Sequence, residues 1–301
     1  MTFISVVIGT RNHGNSVQST LETVLANDYA AFDVTVVDQS ENDQTQLAVT
    51  RYLCDPRVHY IRTATKGLAR GQNIGVSAAR GELIAITDDD CHAPPGWLKN
   101  VAAALEYDRR IGVVLGNVLP AEHDRRTGFV QSYVRAEPFT AHSVRDKHFV
   151  EGIGANLAFR RSLWRELSGI DEMLGSGTPL YAAEETDFVI RALLKGYWVY
   201  ETPEVSIVHC GFRTWEEGRT LVPSYICGLT AMYVKYLKCG RWNAMTPFLH
   251  QVWRWAFGKP IVDFGRVPSR TVRFKGFLQG LWKGARTPVD RTTCLFTSRS
   301  R

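Results

Sequence analysis

Thr87, Asp88, Asp89 and Asp90 stand in a row directly after the apolar run Leu83 to Ile86, which reads as a buried strand. If the extended conformation continues, Asp88 and Asp90 project to the same side. Two carboxylates on one face suit a hard divalent cation, Mg²⁺ or Mn²⁺, which takes oxygen ligands and leaves positions open for a diphosphate. Such an ion neutralises charge growing on a departing diphosphate. A solvated acidic turn fits the same tetrad in isolation, so its surroundings must decide. Glu184, Glu185 and Asp187 cluster at a helix start, where the macrodipole favours carboxylates and where plain capping is the competing role. Asp38 ends a second apolar run and His209 closes a β-rich one; a turn residue and a structural histidine are the alternatives there.

Positioning these groups requires a particular arrangement of elements. The first half alternates β-rich runs with helical patterns, which predicts an α/β fold with a mostly parallel central sheet flanked by helices. Strands are expected at 3–8, 34–37, 58–61, 83–87, 111–115, 155–159, 198–200 and 205–208. The first helix is expected to open on a capping box of Asn15 and Gln18. Further helices are expected at 97–107, at 161–167 and from Glu185 to Lys195, the last stopped by Gly196. Residues 120–150 are weakly patterned and read as a long loop or an irregular insertion on the acceptor side. Ligands of open α/β sheets bind beyond the carboxyl ends of the strands, where Asp38 and Asp88 would share one crevice.

Composition narrows the classes. With 45% hydrophobic and 22% charged residues among 301, wholesale disorder is excluded. Six cysteines show no C-x-x-C pair and no zinc-ligand spacing, which fits a reducing cytosol. No G-x-G-x-x-G follows the first strand, and no Walker A or G-x-S-x-G motif is present, which disfavours a dehydrogenase, a P-loop enzyme or a hydrolase. The opening MTFISVVIGTRNHG has no signal-peptide pattern, and no run approaches a membrane span. The expectation is a cytoplasmic chain, peripheral on the inner face of the plasma membrane if its tail binds lipid. That tail is strongly basic: from Gly211 to Arg301 there are 16 Lys/Arg against 4 Asp/Glu, while the remainder has 20 against 26. Met245, Phe248, Leu249, Val252 and Trp253, and then Phe274, Phe277, Leu278, Leu281 and Trp282, recur at helical spacing beside these cations. The stripes either pack on the protein body or meet an anionic membrane surface. No nucleic-acid module is recognisable, so no nucleic-acid partner is expected.

The segments SVVIGTRN (5–12), VVDQS (36–40), KGLARGQNIGVSAARGELIAITDDD (66–90) and PGWL (95–98) resemble the inverting family-2 glycosyltransferases of the GT-A fold. GANLAFRRSLW (154–164), GIDEMLGSG (169–177), AEETDF (183–188) and VHCGFRTW (208–215) resemble that family's acceptor-side half. The resemblance implies a GT-A catalytic domain over 1–220, with a nucleotide-binding half to about 110 and an acceptor half beyond it. Residues 221–301 would form a basic amphipathic helical extension. It further implies a nucleotide-diphosphate sugar as donor and a saccharide or lipid-linked acceptor. Thr10, Arg11, Asp38, Arg70, Asn73, Asp88 and Asp89 would contact the donor, and Asp88, Asp90 and His209 the metal. Arg213 would assist the diphosphate. Inverting transfer needs a general base opposite the leaving group, with Glu185, Glu184 and Asp187 as candidates. The family usually reads Glu-Asp where this chain reads Glu-Glu, so Glu185 takes the aligned position. Gln39 stands where a second acidic residue is common. Processive synthases of the family usually combine a Q-x-x-R-W motif with flanking membrane spans; with neither recognised in this chain, a single-addition enzyme is expected.

Overall fold

The computed structural model describes residues 1–257 and 270–298. In chain order the elements are β1 (Ile4–Thr10), α1 (Gly14–Leu25), β2 (Phe32–Asp38), α2 (Gln44–Thr50), β3 (Val58–Arg62), α3 (Leu68–Ala78), β4 (Leu83–Asp88), β5 (Cys91–His92), α4 (Trp97–Glu106) and β6 (Ile111–Pro120). There follow β7 (Gly128–Val130), β8 (Phe139–Ala141), β9 (Asn156–Arg160), α5 (Arg161–Glu166), α6 (Glu184–Leu194), β10 (Trp198–His209), β11 (Phe212–Thr214) and α7 (Trp215–Lys238). The described chain ends with α8 (Met245–Phe257), α9 (Arg270–Arg286), β12 (Val289–Asp290) and β13 (Leu295–Phe296). Residues 258–269 and 299–301 of the expected extension lie outside the described residues.

One large sheet runs β3-β2-β1-β4-β9-β6-β10-β5, with β8 beside β10. The β3-β2-β1-β4 block and the β6-β10 pair are parallel, and β9 enters antiparallel between β4 and β6. Strands covered on both faces read as continuous apolar runs, which is why β1 and β2 are Val- and Ile-rich and buried almost throughout. Their alternation still sorts the two layers. Val6 and Ile8 join Val17 and Leu21 of α1 and Leu98 and Val101 of α4, whereas Val7 joins Ile84, Phe188 and Ile190 on the opposite face. α3 presses closely on β1, because a Cβ on Gly75 would stand 2.4 Å from a methyl of Val7.

Several local expectations change. α1 opens on His13 without a side-chain cap, and Asn15 lies inside the helix, so no Asn15–Gln18 capping box forms. The segments at 198–200 and 205–208 are one strand, β10, interrupted by a register shift between Thr202 and Ser206. Residues 120–150 contain β7, β8 and a 3-10 turn at Val144–Phe149, the last closed by a capping box of Ser143 and Asp146. β7 and β8 are too short for a two-residue periodicity to register. α6 ends at Gly196, whose φ of +89° is the left-handed conformation that glycine adopts at low cost. α7 runs through residue 220, and its Tyr233 and Tyr236 share a core with Leu115, Phe159 and Phe188.

Candidate functional site

β1 and β4 end side by side, Gly9 opposite Asp88, and open into a cavity of about 510 Å³. After Asp88 the chain turns at Asp89 and Asp90 and reverses into β5, which pairs antiparallel with β10, Cys91 opposite His209. The extended run expected through Asp90 is therefore broken by a turn. That reversal brings Asp90 to the end of β10, with Asp90 Oδ1 3.2 Å from His209 Nε2. Asp88, Asp89, Asp90 and His209 all line the cavity, as do Thr10, Arg11, Glu184, Glu185 and Arg213.

The electrostatics are those of a crowded acidic floor. Asp88 is only partly covered, yet enough protein surrounds it that burial, helped by the charge of Asp90, pushes its carboxyl up to about 7. For Asp90 burial acts upward too, but the close approach and charge of His209 outweigh it and bring the carboxyl down. Burial depresses His209, while Asp90 and Asp88 more than restore it and leave it raised. His13 Nδ1 donates to Asp89 at 3.2 and 3.3 Å, and that bond raises the imidazole. Glu184 is pushed well up by burial and by the charge of Glu185. Burial also raises Glu185, against backbone hydrogen bonds and the charge of Lys147.

These residues fit a divalent cation. His209 Nδ1 donates to the carbonyl of Gln131 at 2.8 Å, so a neutral imidazole turns the Nε2 lone pair toward Asp90. Asp90 Oδ1 lies at ion-pair distance from that nitrogen but receives no hydrogen bond of good geometry. A buried carboxylate oxygen without a well-aligned donor, beside a second carboxyl driven toward neutrality, is a site short of positive charge. Asp90, Cys91 and His209 converge within 4.8 Å. Burial pushes the Cys91 thiol up, first among several causes, so of this group Asp90 and His209 are the donors that suit a cation, with Asp88 outside the group but on the same cavity wall. Thr10 Oγ1 and Arg11 Nε are likewise buried without a partner on the cavity wall.

Across from this floor stands the start of α6. Ala183, its N-cap, has φ of +78° and Tyr181 has +61°, conformations that cost non-glycine residues of order 1–3 kcal/mol. The strained turn presents Glu184 and Glu185 to the cavity. Glu184 is the more deeply buried and packs against Gly175, whereas Glu185 is partly open. The loop at 151–154 completes this wall. It is held by the fully buried Glu201, which accepts from the backbone N–H of Gly152 at 2.6 Å and of Glu151 at 3.1 Å and pairs with Arg135 at 2.5 Å.

Four expected site residues are not on the cavity wall. Asp38 is fully buried, and its oxygens already accept from the Ser40 N–H at 2.8 Å and the Tyr60 hydroxyl at 2.6 Å. Its neighbour Gln39 faces the cavity instead. Arg70 pairs with Glu172 at 3.3 Å on the surface. Asn73 is a latch between segments, donating to the Ile170 carbonyl at 2.8 Å and accepting from Trp164 Nε1 and Ile170 N at 2.9 Å. Asp187 is fully buried on the other side of α6, bonded to Arg191 at 2.8 Å and to Lys235 and the Tyr236 hydroxyl at 2.6 Å.

Other cavity residues escaped the sequence reading: His13, Gln131, Lys147, Gln251, Arg254, Trp255 and Arg273. For three of them a signal existed. Residues 251–255 read QVWRW, the Q-x-x-R-W spacing associated above with processive synthases, so the expectation that this motif is missing was wrong and no longer argues for single addition. Arg254 pairs with Glu151 and so ties α8 to the 151–154 loop.

The sequence profile of glycosyl transferase family 2 matches residues 5–168. A glucosyl-dolichyl phosphate glucuronosyltransferase of Haloferax volcanii is 26% identical over 199 residues, 62% of each chain. The glycosyltransferase GlyG of Streptococcus pneumoniae is 27% identical over 138 residues, 45% of each chain. The chain thus spans about three-fifths or less of the length of these curated relatives. Among solved structures, the mannosyltransferase PcManGT of Pyrobaculum calidifontis, in complex with GDP-Man and Mn²⁺, superposes with a TM-score of 0.64 at 18% identity, over 94% of this chain and 88% of that one. S. aureus TarS 1-349 in complex with UDP superposes at 0.56 with 15% identity, over 97% and 90%. With the profile covering more than half of its length and nearly the whole chain superposing on these structures, the chain belongs to glycosyl transferase family 2 and has the GT-A fold.

Proposed function

We propose that the protein is an inverting, metal-dependent glycosyltransferase that moves a sugar from a nucleotide-diphosphate donor to an acceptor hydroxyl in polysaccharide or glycolipid assembly. The observation that carries this reading is one cavity with a cation-seeking floor, Asp88, Asp90 and His209, opposite a pair of raised carboxyls, Glu184 and Glu185. The GDP-Man, UDP and Mn²⁺ named with the similar structures support a nucleotide-diphosphate donor and a divalent metal. When bound, Mg²⁺ or Mn²⁺ offsets the charge that collects on the departing diphosphate.

The chain's own residues do the rest. Thr10 and Arg11, each with a buried unpartnered polar atom, hold the donor from β1 and its loop, with Asp89 fixed by His13 beside them. Arg213 adds positive charge near the diphosphate. Asp38 and Asn73 act at one remove, by fixing the β2 end and the segment at 169–170. Glu185 takes the proton from the attacking hydroxyl, because it is open to the cavity while Glu184 is packed against Gly175. Burial raises its pKa, which makes the ionised carboxylate a stronger base. Thermal shift against UDP, GDP and dTDP, each with and without Mn²⁺, tests the reading. Stabilisation by a nucleoside diphosphate that is lost on chelation is expected; indifference to all three, with and without metal, would reject it.

A further inference from the structure

α9 packs on α7 through glycine, not through its large apolar side chains. Gly276, Gly280 and Gly284 lie four apart on one face, and a Cβ at each would collide with α7. The distances are 2.7 Å to the Pro223 carbonyl, 2.6 Å to the Cys227 carbonyl and 2.8 Å to Val234 Cβ. The same spacing puts Phe274, Leu278 and Trp282 on another face, where they are 60%, 48% and 59% exposed. α8 adds Leu249 and Trp253, at 66% and 58%. The two helices are joined by stacking of Phe248 on Phe277 at 6.4 Å and by Arg273 Nη1 donating to the Trp255 carbonyl at 2.5 Å.

The charge beside these side chains has one sign. α9 carries five Lys/Arg and no acidic residue, and Asp263 is the single acid in the sequence from Cys239 to Arg286. The Arg286 guanidinium lies 4.8 Å over the Trp282 ring. Exposed Phe, Leu and Trp interleaved with cations complement a surface that is apolar beneath and anionic on top. We propose that the outer faces of α8 and α9 dock in plane on an anionic lipid bilayer. Gln251 and Trp255 of α8 and Arg273 of α9 also line the cavity, so docking sets the cavity mouth at the lipid surface. No helix among the described residues is long and apolar enough to cross the membrane.

Sedimentation with phosphatidylcholine vesicles, with and without phosphatidylglycerol, tests the proposal independently of sugar transfer. The wild-type chain is expected to sediment with the anionic vesicles and to be released by high salt. Phe274→Ser/Leu278→Ser/Trp282→Ser is expected to bind about tenfold less or weaker still, with nucleotide-induced thermal stabilisation retained. Should that variant not fold, Lys275→Gln/Lys283→Gln serves, with weaker binding and a shallower salt dependence expected. Wild type that ignores both vesicles, or substituted chains that fold and bind like wild type, overturn the proposal. So does a wild-type dimer, seen by analytical ultracentrifugation, that the triple substitution dissolves without any vesicle binding, since the occupant would then be a second copy.

Discussion

Asp90 Oδ1 and His209 Nε2 face each other at 3.2 Å, and the role of the floor turns on what stands between them. Asp90→Ala is expected to lower transfer by about 100-fold or more and to abolish the metal-dependent part of nucleotide binding, read by calorimetry with and without Mn²⁺. Gly211 gives a subtler probe, because a Cβ there would stand 2.4 Å from Asp90 Oδ2 and 2.9 Å from His209 Nε2. Gly211→Ala should weaken Mn²⁺ affinity while leaving metal-free nucleotide binding intact. Glu185→Gln separates binding from chemistry: donor affinity should hold, while turnover falls by about 100- to 10,000-fold. A base must be ionised to act, and burial raises Glu185. The activity of the wild type should therefore rise with pH along an acidic limb whose midpoint lies above 4.5, the ordinary glutamate value. Unchanged turnover in Glu185→Gln would transfer the role to Glu184, which shares the wall.

At the scale of elements, α6 carries two kinds of carboxylate on two faces. Glu184 and Glu185 meet the cavity, and Asp187 meets Lys235 and Arg191 in the core. Asp187→Asn leaves two buried cations short of a partner and is expected to cost about 3–5 kcal/mol of stability at neutral pH, measured by chemical denaturation. Burial acts to raise the Asp187 carboxyl, but Lys235 and Arg191 outweigh it and leave it lowered. Its stabilisation is thus full above the ordinary aspartate range and drains away as pH falls through the lower folded value. The gap between wild type and Asp187→Asn should close in that acid window. The helix start and its acids were legible in the sequence, since apolar periodicity and an acidic first turn mark them. Which acid faces which way was not, because that depends on a lysine about fifty residues away. Long buried strands such as β1, β2 and β4 were legible to within two residues. Asp38 and Asn73 lie off the cavity wall for a reason like that of Asp187: motif position names a residue type, but Tyr60 and Trp164, which bond these side chains, come from distant segments. The turn at Asp89 could not be read either, as it is imposed by pairing of β5 with β10.

For the whole molecule, the change in composition near residue 211 suggests a body and a basic appendage, but the packing joins them. Lys235 of α7 is fully buried, with Nζ 2.6 Å from both Asp171 and Asp187, and Asp171 also accepts the Phe296 N–H of β13. Met232, Tyr233 and Tyr236 fill the core layer that contains Phe159 and Phe188. A chain cut after residue 220 would keep every strand of the large sheet and the whole cavity floor, yet would bury two aspartates without their lysine. The unpaired charge alone is worth about 3–5 kcal/mol, and each large side chain withdrawn from the core removes about 1.5–3 kcal/mol more. Domains of this kind have about 5–15 kcal/mol in total, so the truncated chain is expected not to fold. Circular dichroism should show no cooperative melt, and gel filtration an expanded or aggregated species. A sharp thermal transition with nucleotide binding in residues 1–220 would instead mean that the catalytic body closes its own core and that the basic helices are attached only from outside.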